Sequence, residues 1–172
     1  GHCVTLKALA SAGLTADDVQ LRFIPPADAK LALTQGAVDA WATWEPYTAL
    51  AETGGHARVL VNGRGLWSGL SFLAATDDAL AARRAALHDF RERVARAQAW
   101  SYRNARVFGQ SLARIVGIPA EAAQLQFERR ATRWLPVDEA VLAEQQRTAD
   151  FYWKAGLIRQ RLDVRATFAA QA

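Results

Sequence analysis

The chain has 172 residues, 51% of them hydrophobic and 22% charged, with a formal net charge of +4. That balance is globular and excludes a disordered polymer. The absence of any run of about eighteen apolar residues excludes a transmembrane helix of that kind, and a single cysteine excludes an internal disulfide and every multi-cysteine metal motif.

The length suits one domain, or one and a half small lobes. The modest positive charge can steer anionic partners but says nothing of fold. No positively charged leader opens the chain, and Gly1-His2-Cys3 runs straight into a helical pattern with no strand to feed it. The chain therefore reads as starting mid-protein.

Cys3, Leu6, Leu9 and Ala10 recur at helical spacing, which predicts a helix over 3–12 stopped by Gly13, with Leu14 as the apolar residue beyond. Val19 to Ile24 alternates as a strand. Pro25-Pro26 suits the first turn of a helix over 26–35, because no N–H is needed there. Asp28 falls in that turn, where unpaired N–H groups favour a carboxylate, and Gly36 supplies a left-handed stop. Residues 38–44 then read as a strand, with Val38, Ala40, Ala42 and Trp44 on one face and Asp39, Trp41 and Thr43 on the other. Pro46 forbids a paired central strand from continuing, so the chain turns at Trp44-Glu45 and a helix over 46–53 follows. Gly54-Gly55 breaks it. Residues 58–61 and 70–75 are two further expected strands, separated by the Asn62-Gly63-Arg64-Gly65 turn. Alternating helix and strand in the first 75 residues predicts a largely parallel α/β sheet.

After residue 76 the pattern becomes helical. Leu87, Phe90, Val94 and Ala97 form an apolar stripe, Gly117-Ile118-Pro119 breaks the chain, and 120–130 is a helix. Pro136-Val137-Asp138 opens the longest late helix, to about Lys154, with Gly156 as its stop. The change of pattern at 65–76 is the best internal boundary, and 70–75 suits a crossover strand. No internal repeat or low-complexity segment is present.

Trp44-Glu45-Pro46 is the sharpest local signal. A strand that hands over to a helix is where open α/β sheets place ligands, and an ordinary turn around a buried tryptophan fits the residues equally. Gly1-His2 stands at a helix start, where N–H groups favour an anion; a frayed terminus or a cloning remnant is the alternative. Ser68 could donate to an anionic head group and Trp67 could stack on an apolar tail, or the pair is a loop with a packed tryptophan. Arg129, Arg130 and Arg133 cluster in a polar break, and a guanidinium pairs well with an oxyanion. A solvated basic turn accounts for two of the three, and Arg130 is the one singled out.

Arg83, Arg84, Arg91, Arg93, Arg96, Arg103 and Arg106 spread round the polar arc of a helix and are interrupted by Asp89 and Glu92. With no nucleic-acid-binding motif beside them, they read as a solvated face. Catalytic signatures are missing: no HExxH, no G-x-S-x-G, no P-loop and no Rossmann fingerprint. Cys3 reads as a helix-buried thiol, and Asp138 and Glu139 as capping groups.

Several stretches together resemble the substrate-binding subunits of ABC importers for aliphatic sulfonates, in the wider nitrate/sulfonate/taurine group. LKALASAGL after His2 is similar to that family's LLxxALxxAGL, PPADAK to its PPADAR, and GAVDAWATWEPY to its GxVDAWxxWDPY. Thr15 to Ile24 is similar to its DDI-x-P segment, and HARVLVNGRGL to the segment before its crossover strand. VDEAVLAEQQRTADFYWKAGLI with LDVR resembles its C-terminal signature. The resemblance covers nearly the whole chain.

It implies an α/β, type II periplasmic-binding-protein-like fold, incomplete, with a helical C-terminal portion. Residues 1–65 would be a partial second α/β lobe, 66–76 the crossover and hinge strand, and 77–172 a helical portion returning to the first lobe. It further implies capture of a small anionic sulfonate in an interlobe cleft by His2, Trp44, Glu45, Trp67, Ser68 and Arg130. Partners would be that ligand and an ABC permease in the membrane, with no cofactor, no metal, no nucleic acid and no chemistry performed. A periplasmic or lipid-anchored location and a monomeric full-length protein belong to the same expectation. Three departures stand out: the first lobe with its signal peptide and serine/threonine loop is absent, the serines before His2 are absent, and Glu45 replaces an aspartate. Alternatives on the same resemblance are a nitrate, taurine or pyrimidine-type ligand, or an aryl-sulfinate desulfinase-like enzyme with a cysteine nucleophile.

Overall fold

The structure is a computed structural model that describes residues 1–130 and 132–169. The elements are helices: α1 (His2–Ser11), α2 (Pro26–Thr34), α3 (Tyr47–Thr53), α4 (Asp77–Ala82), α5 (Arg84–Arg103), α6 (Ala105–Val116), α7 (Ala120–Arg129) and α8 (Glu139–Lys154), with 3-10 turns at Ala16–Asp18 and Val164–Thr167. No helix among the described residues is long and apolar enough to cross a membrane.

The helices start and stop for local reasons. Pro26 occupies the first turn of α2 with Asp28 beside it, and Gly36 beyond its end has φ +72°. That left-handed residue lets the Gly36 amide donate to Leu33 O at 3.1 Å and the Ala37 amide to Ala32 O at 2.8 Å, so two end carbonyls are satisfied. Gly156 ends α8 in the same way, with the Leu157 amide donating to Tyr152 O at 2.9 Å. The start of α8 is capped by Asp138, whose Oδ1 accepts from the Val141 amide at 2.9 Å. Replacing Asp138 by alanine is expected to cost about 1 kcal/mol and to lower the melting temperature by about 2–4 °C, read by circular dichroism at 222 nm.

The expected α/β sheet is not formed. Among the described residues there is no strand, and 19–24, 38–44, 58–61 and 70–75 carry no ladder, so the type II binding-protein architecture read from the sequence is corrected to a helical one. Alternation records which side chains share a face, but a strand exists only when a neighbouring segment takes its N–H and C=O groups. These segments have no such neighbour, and their apolar side chains stay open: Phe23 is 75% and Leu60 63% exposed. The helical portion after residue 76 does form, but Phe90 of the α5 stripe remains 55% exposed. Leu87 and Val94 are half-buried.

The chain divides into two compact units. The first comprises 1–62 and 73–133. In it α7 packs on both α3 and α6, and the buried residues are small: Ala49, Ala122 and Ala123 are fully buried. Gly109 permits the close approach of α6 and α7, since a Cβ there would lie 2.6 Å from Gln124 Oε1. Phe127 is the aromatic buried in this unit, with ring centroids 5.1 Å from Tyr102 and 4.9 Å from Phe108.

The second unit comprises 63–72 and 134–172. Its tail is tied to α8 through Gln146, which donates to Leu162 O and accepts from the Val164 amide, each at 2.9 Å. Arg161 grips Asp150 with two bonds of 2.9 and 3.0 Å and holds that carboxyl below its ordinary range. Arg165 does the same to Glu139.

Candidate functional site

The turn 42–47 is the centre of the site in the first unit. The Glu45–Pro46 peptide is cis. Pro46 sits at the N-cap of α3 and has no side-chain oxygen to offer, so Glu45 supplies the cap: its Oε2 accepts from the Ala49 amide at 3.0 Å. Trp44 is left 59% exposed. Its indole meets Tyr47 edge-on, with centroids 5.9 Å apart and planes at 85°, and Trp41 lies 6.1 Å from the same ring. Tyr47 thus braces two tryptophans.

The start of α1 comes up against this turn. A Cβ on Gly1 would lie 3.1 Å from Ala42 O, two residues before Trp44. The first turn of α1 has no side-chain cap, so its leading N–H groups are available to an acceptor. His2 is half-buried, its ring 5.2 Å from that of Phe23. Thr43 Oγ1 is shielded from water and has no hydrogen-bond partner among the described residues. Cys3 is buried and free, and burial pushes its thiol pKa up. A thiol so placed is a packing residue and a poor nucleophile.

Arg129, at the end of α7, reaches back to the turn. Its Nη1 lies 2.6 Å from Glu52 Oε2 and donates to Glu45 Oε1 at 3.4 Å. The Glu52 contact is an ion pair without a well-aligned hydrogen bond, for Oε2 is shielded and lacks a partner by angle. The three side chains are each about one-third exposed, at 35%, 30% and 29%. Glu52 first, and then Glu45, hold the guanidinium pKa above its ordinary value.

The structure brings His2's helix, Trp44, Glu45 and the end of α7 into one unit. Arg130 follows Arg129, is exposed, and accepts through its backbone carbonyl from the Tyr102 hydroxyl. Trp67 and Ser68 belong to the second unit. There Trp67 meets Tyr152 edge-on at 6.5 Å, and Ser68 Oγ accepts from the Leu70 amide at 3.3 Å. Sequence reasoning missed Tyr47, and among the clustered arginines it singled out Arg130 and not Arg129. Glu45 just before α3 and Glu52 on its last turn put one carboxylate at each end of the helix, which suits a cation beside it but does not say which of the arginines at 129, 130 and 133. No group of three or more His, Cys, Asp or Glu among the described residues is placed to hold a metal ion.

The family follows from comparison. Residues 2–116 match the model of the NMT1-like family, and the chain belongs to it. It is 34% identical over 165 residues to a protein of Escherichia coli (strain K12) named "Putative aliphatic sulfonates-binding protein", covering 95% of this chain and 52% of that one. Among solved structures, the periplasmic aliphatic sulphonate binding protein SsuA from Escherichia coli is 32% identical with a TM-score of 0.90, covering 99% of this chain and 56% of the other. The alkanesulfonate-binding protein SsuA from Xanthomonas axonopodis pv. citri, solved bound to MOPS, is 26% identical with a TM-score of 0.83, covering 96% and 58%. The chain thus spans about half the length of the relatives it matches.

Proposed function

We propose that this chain is part of the substrate-binding subunit of an ABC importer that captures an aliphatic sulfonate outside the cytoplasm. The observation that carries the reading is the exposed Trp44, braced by Tyr47 next to the open start of α1. A sulfonate has three oxygens that accept hydrogen bonds and an apolar tail. The leading N–H groups of α1 and His2 suit the head group, and an indole suits the tail. The relatives named for sulfonate binding support the ligand class.

In this reading Arg130 adds a donor to the oxygens, and Glu45 orders the turn that presents Trp44. Capture in a cleft between two lobes, delivery to a membrane permease and a periplasmic location belong to the same proposal. The chain is then a carrier and performs no reaction.

Calorimetric titration of the full polypeptide with 1-butanesulfonate, taurine, nitrate and an aryl sulfinate tests it. Saturable 1:1 binding of a sulfonate with no sulfite released is the expected result. Failure of every sulfonate to bind, or release of sulfite from the sulfinate, would overturn it.

A further inference from the structure

The end of α7 touches the candidate site through one side chain that no sequence motif singles out. Arg129 lies within ion-pair distance of two carboxylates that are not near it in sequence, Glu52 on the last turn of α3 and Glu45 just before its first. Glu45 already spends Oε2 on the Ala49 amide, so Oε1 is the oxygen left for Arg129. The cation therefore ties both ends of a seven-residue helix to α7. Trp44 precedes Glu45, and its backbone carbonyl accepts from the Thr48 amide at 3.3 Å within the same turn. Its indole is otherwise 59% exposed, so little besides Tyr47 and the turn itself sets its direction.

Resting on the sulfonate-binding reading above, we infer that Arg129 is a positioning residue: it fixes the Glu45 turn and so holds the Trp44 indole in its ligand-ready orientation. It does so through Nη1, which is committed to the two carboxylates. Without the cation, the shielded Glu52 oxygen would face Glu45 uncompensated. Two carboxylates sharing one site repel, and the turn relieves that repulsion by swinging Glu45 away from α7. Both contacts run through a single nitrogen, so a lysine ammonium can replace the guanidinium here, unlike at a two-pronged site. Arg130, its neighbour, makes no ion pair among the described residues and has no such role.

The test is the ¹⁹F resonance of Trp44 in full-length protein carrying 5-fluorotryptophan, identified by its loss in Trp44→Phe, together with the Kd for 1-butanesulfonate. Arg129→Met is expected to shift the Trp44 resonance and to weaken binding by about tenfold, while Arg129→Lys keeps both near the wild-type values. Arg129→Gln, which keeps a polar contact but no charge, is the second variant should the methionine variant not fold, and the same shift is expected. A Trp44 resonance unmoved in the folded Met or Gln variant overturns the inference, whatever the affinity. If the wild-type protein binds no sulfonate, the functional reading falls. The resonance alone then decides the positioning role, a shift supporting it and its absence overturning it.

Discussion

Replacing Trp44 by alanine is expected to weaken sulfonate binding by about thirtyfold, or about 2 kcal/mol, the range in which tryptophan anchors fall, and to cost less folding stability than the roughly 3–5 kcal/mol of a fully buried tryptophan. The two halves of that expectation come from the same number. A side chain that is 59% exposed already shows the larger part of its surface to water, so unfolding uncovers only the smaller part, and its removal opens no enclosed hole. The surface still open to water is the surface a ligand's carbon tail would cover, at about 25 cal/mol per Å². A phenylalanine at the same position retains an aromatic face and the edge contact to Tyr47, and is expected to recover part of the loss. Calorimetry on the wild type, the Ala and the Phe variants, with melting curves beside it, separates the outcomes. An alanine variant that binds within twofold of the wild type would remove Trp44 from the site; one that loses the full stability of a buried tryptophan would make it a core residue instead.

The parts of this structure legible in the sequence are those decided within a few residues. Pro26 opens α2, Gly36 closes it, and Asp138 caps α8 where each was expected, because a missing N–H, a positive φ and a short acceptor act on adjacent backbone. The strands were not legible, since Val19–Ile24 and residues 38–44 alternate as strands do yet pair with none of the described residues. Alternation is local and a ladder is not. The site shows the same division. Trp44 and Glu45 stand at a turn that Pro46 announces, whereas Arg129 meets Glu45 across 84 positions of sequence. Three arginines of similar surroundings gave no ground for choosing Arg129 over Arg130, and only the packing of α7 on α3 makes the choice.

That packing has its own weak point, and it gives the larger stability prediction. The buried residues of the first unit are mostly alanines, and Phe127 on α7 is the aromatic among them, only 6% exposed. Truncating it to alanine is expected to cost about 3 kcal/mol, the lower end for a buried phenylalanine. The hole cannot close easily, because Tyr102 on one side is held by its hydroxyl, which contacts the Arg130 carbonyl and accepts from the Thr132 amide at 2.8 Å. Water lowers the cost, for an open hollow lined by Tyr102, Ala105, Glu128 and Thr132 reaches Phe127. Urea denaturation followed at 222 nm measures the loss, and a value under about 1 kcal/mol would mean that α6 and α7 are held by their alanine contacts alone. Phe127 also lies two residues before Arg129 on the same helix. A loosened α7 would let the cation drift from Glu45 and Glu52, so this variant is expected to lose ligand affinity without touching the ligand. Adding Arg129→Met to it should then weaken binding by less than the same change does in the wild type, because the two act through one helix end and their effects cannot be independent.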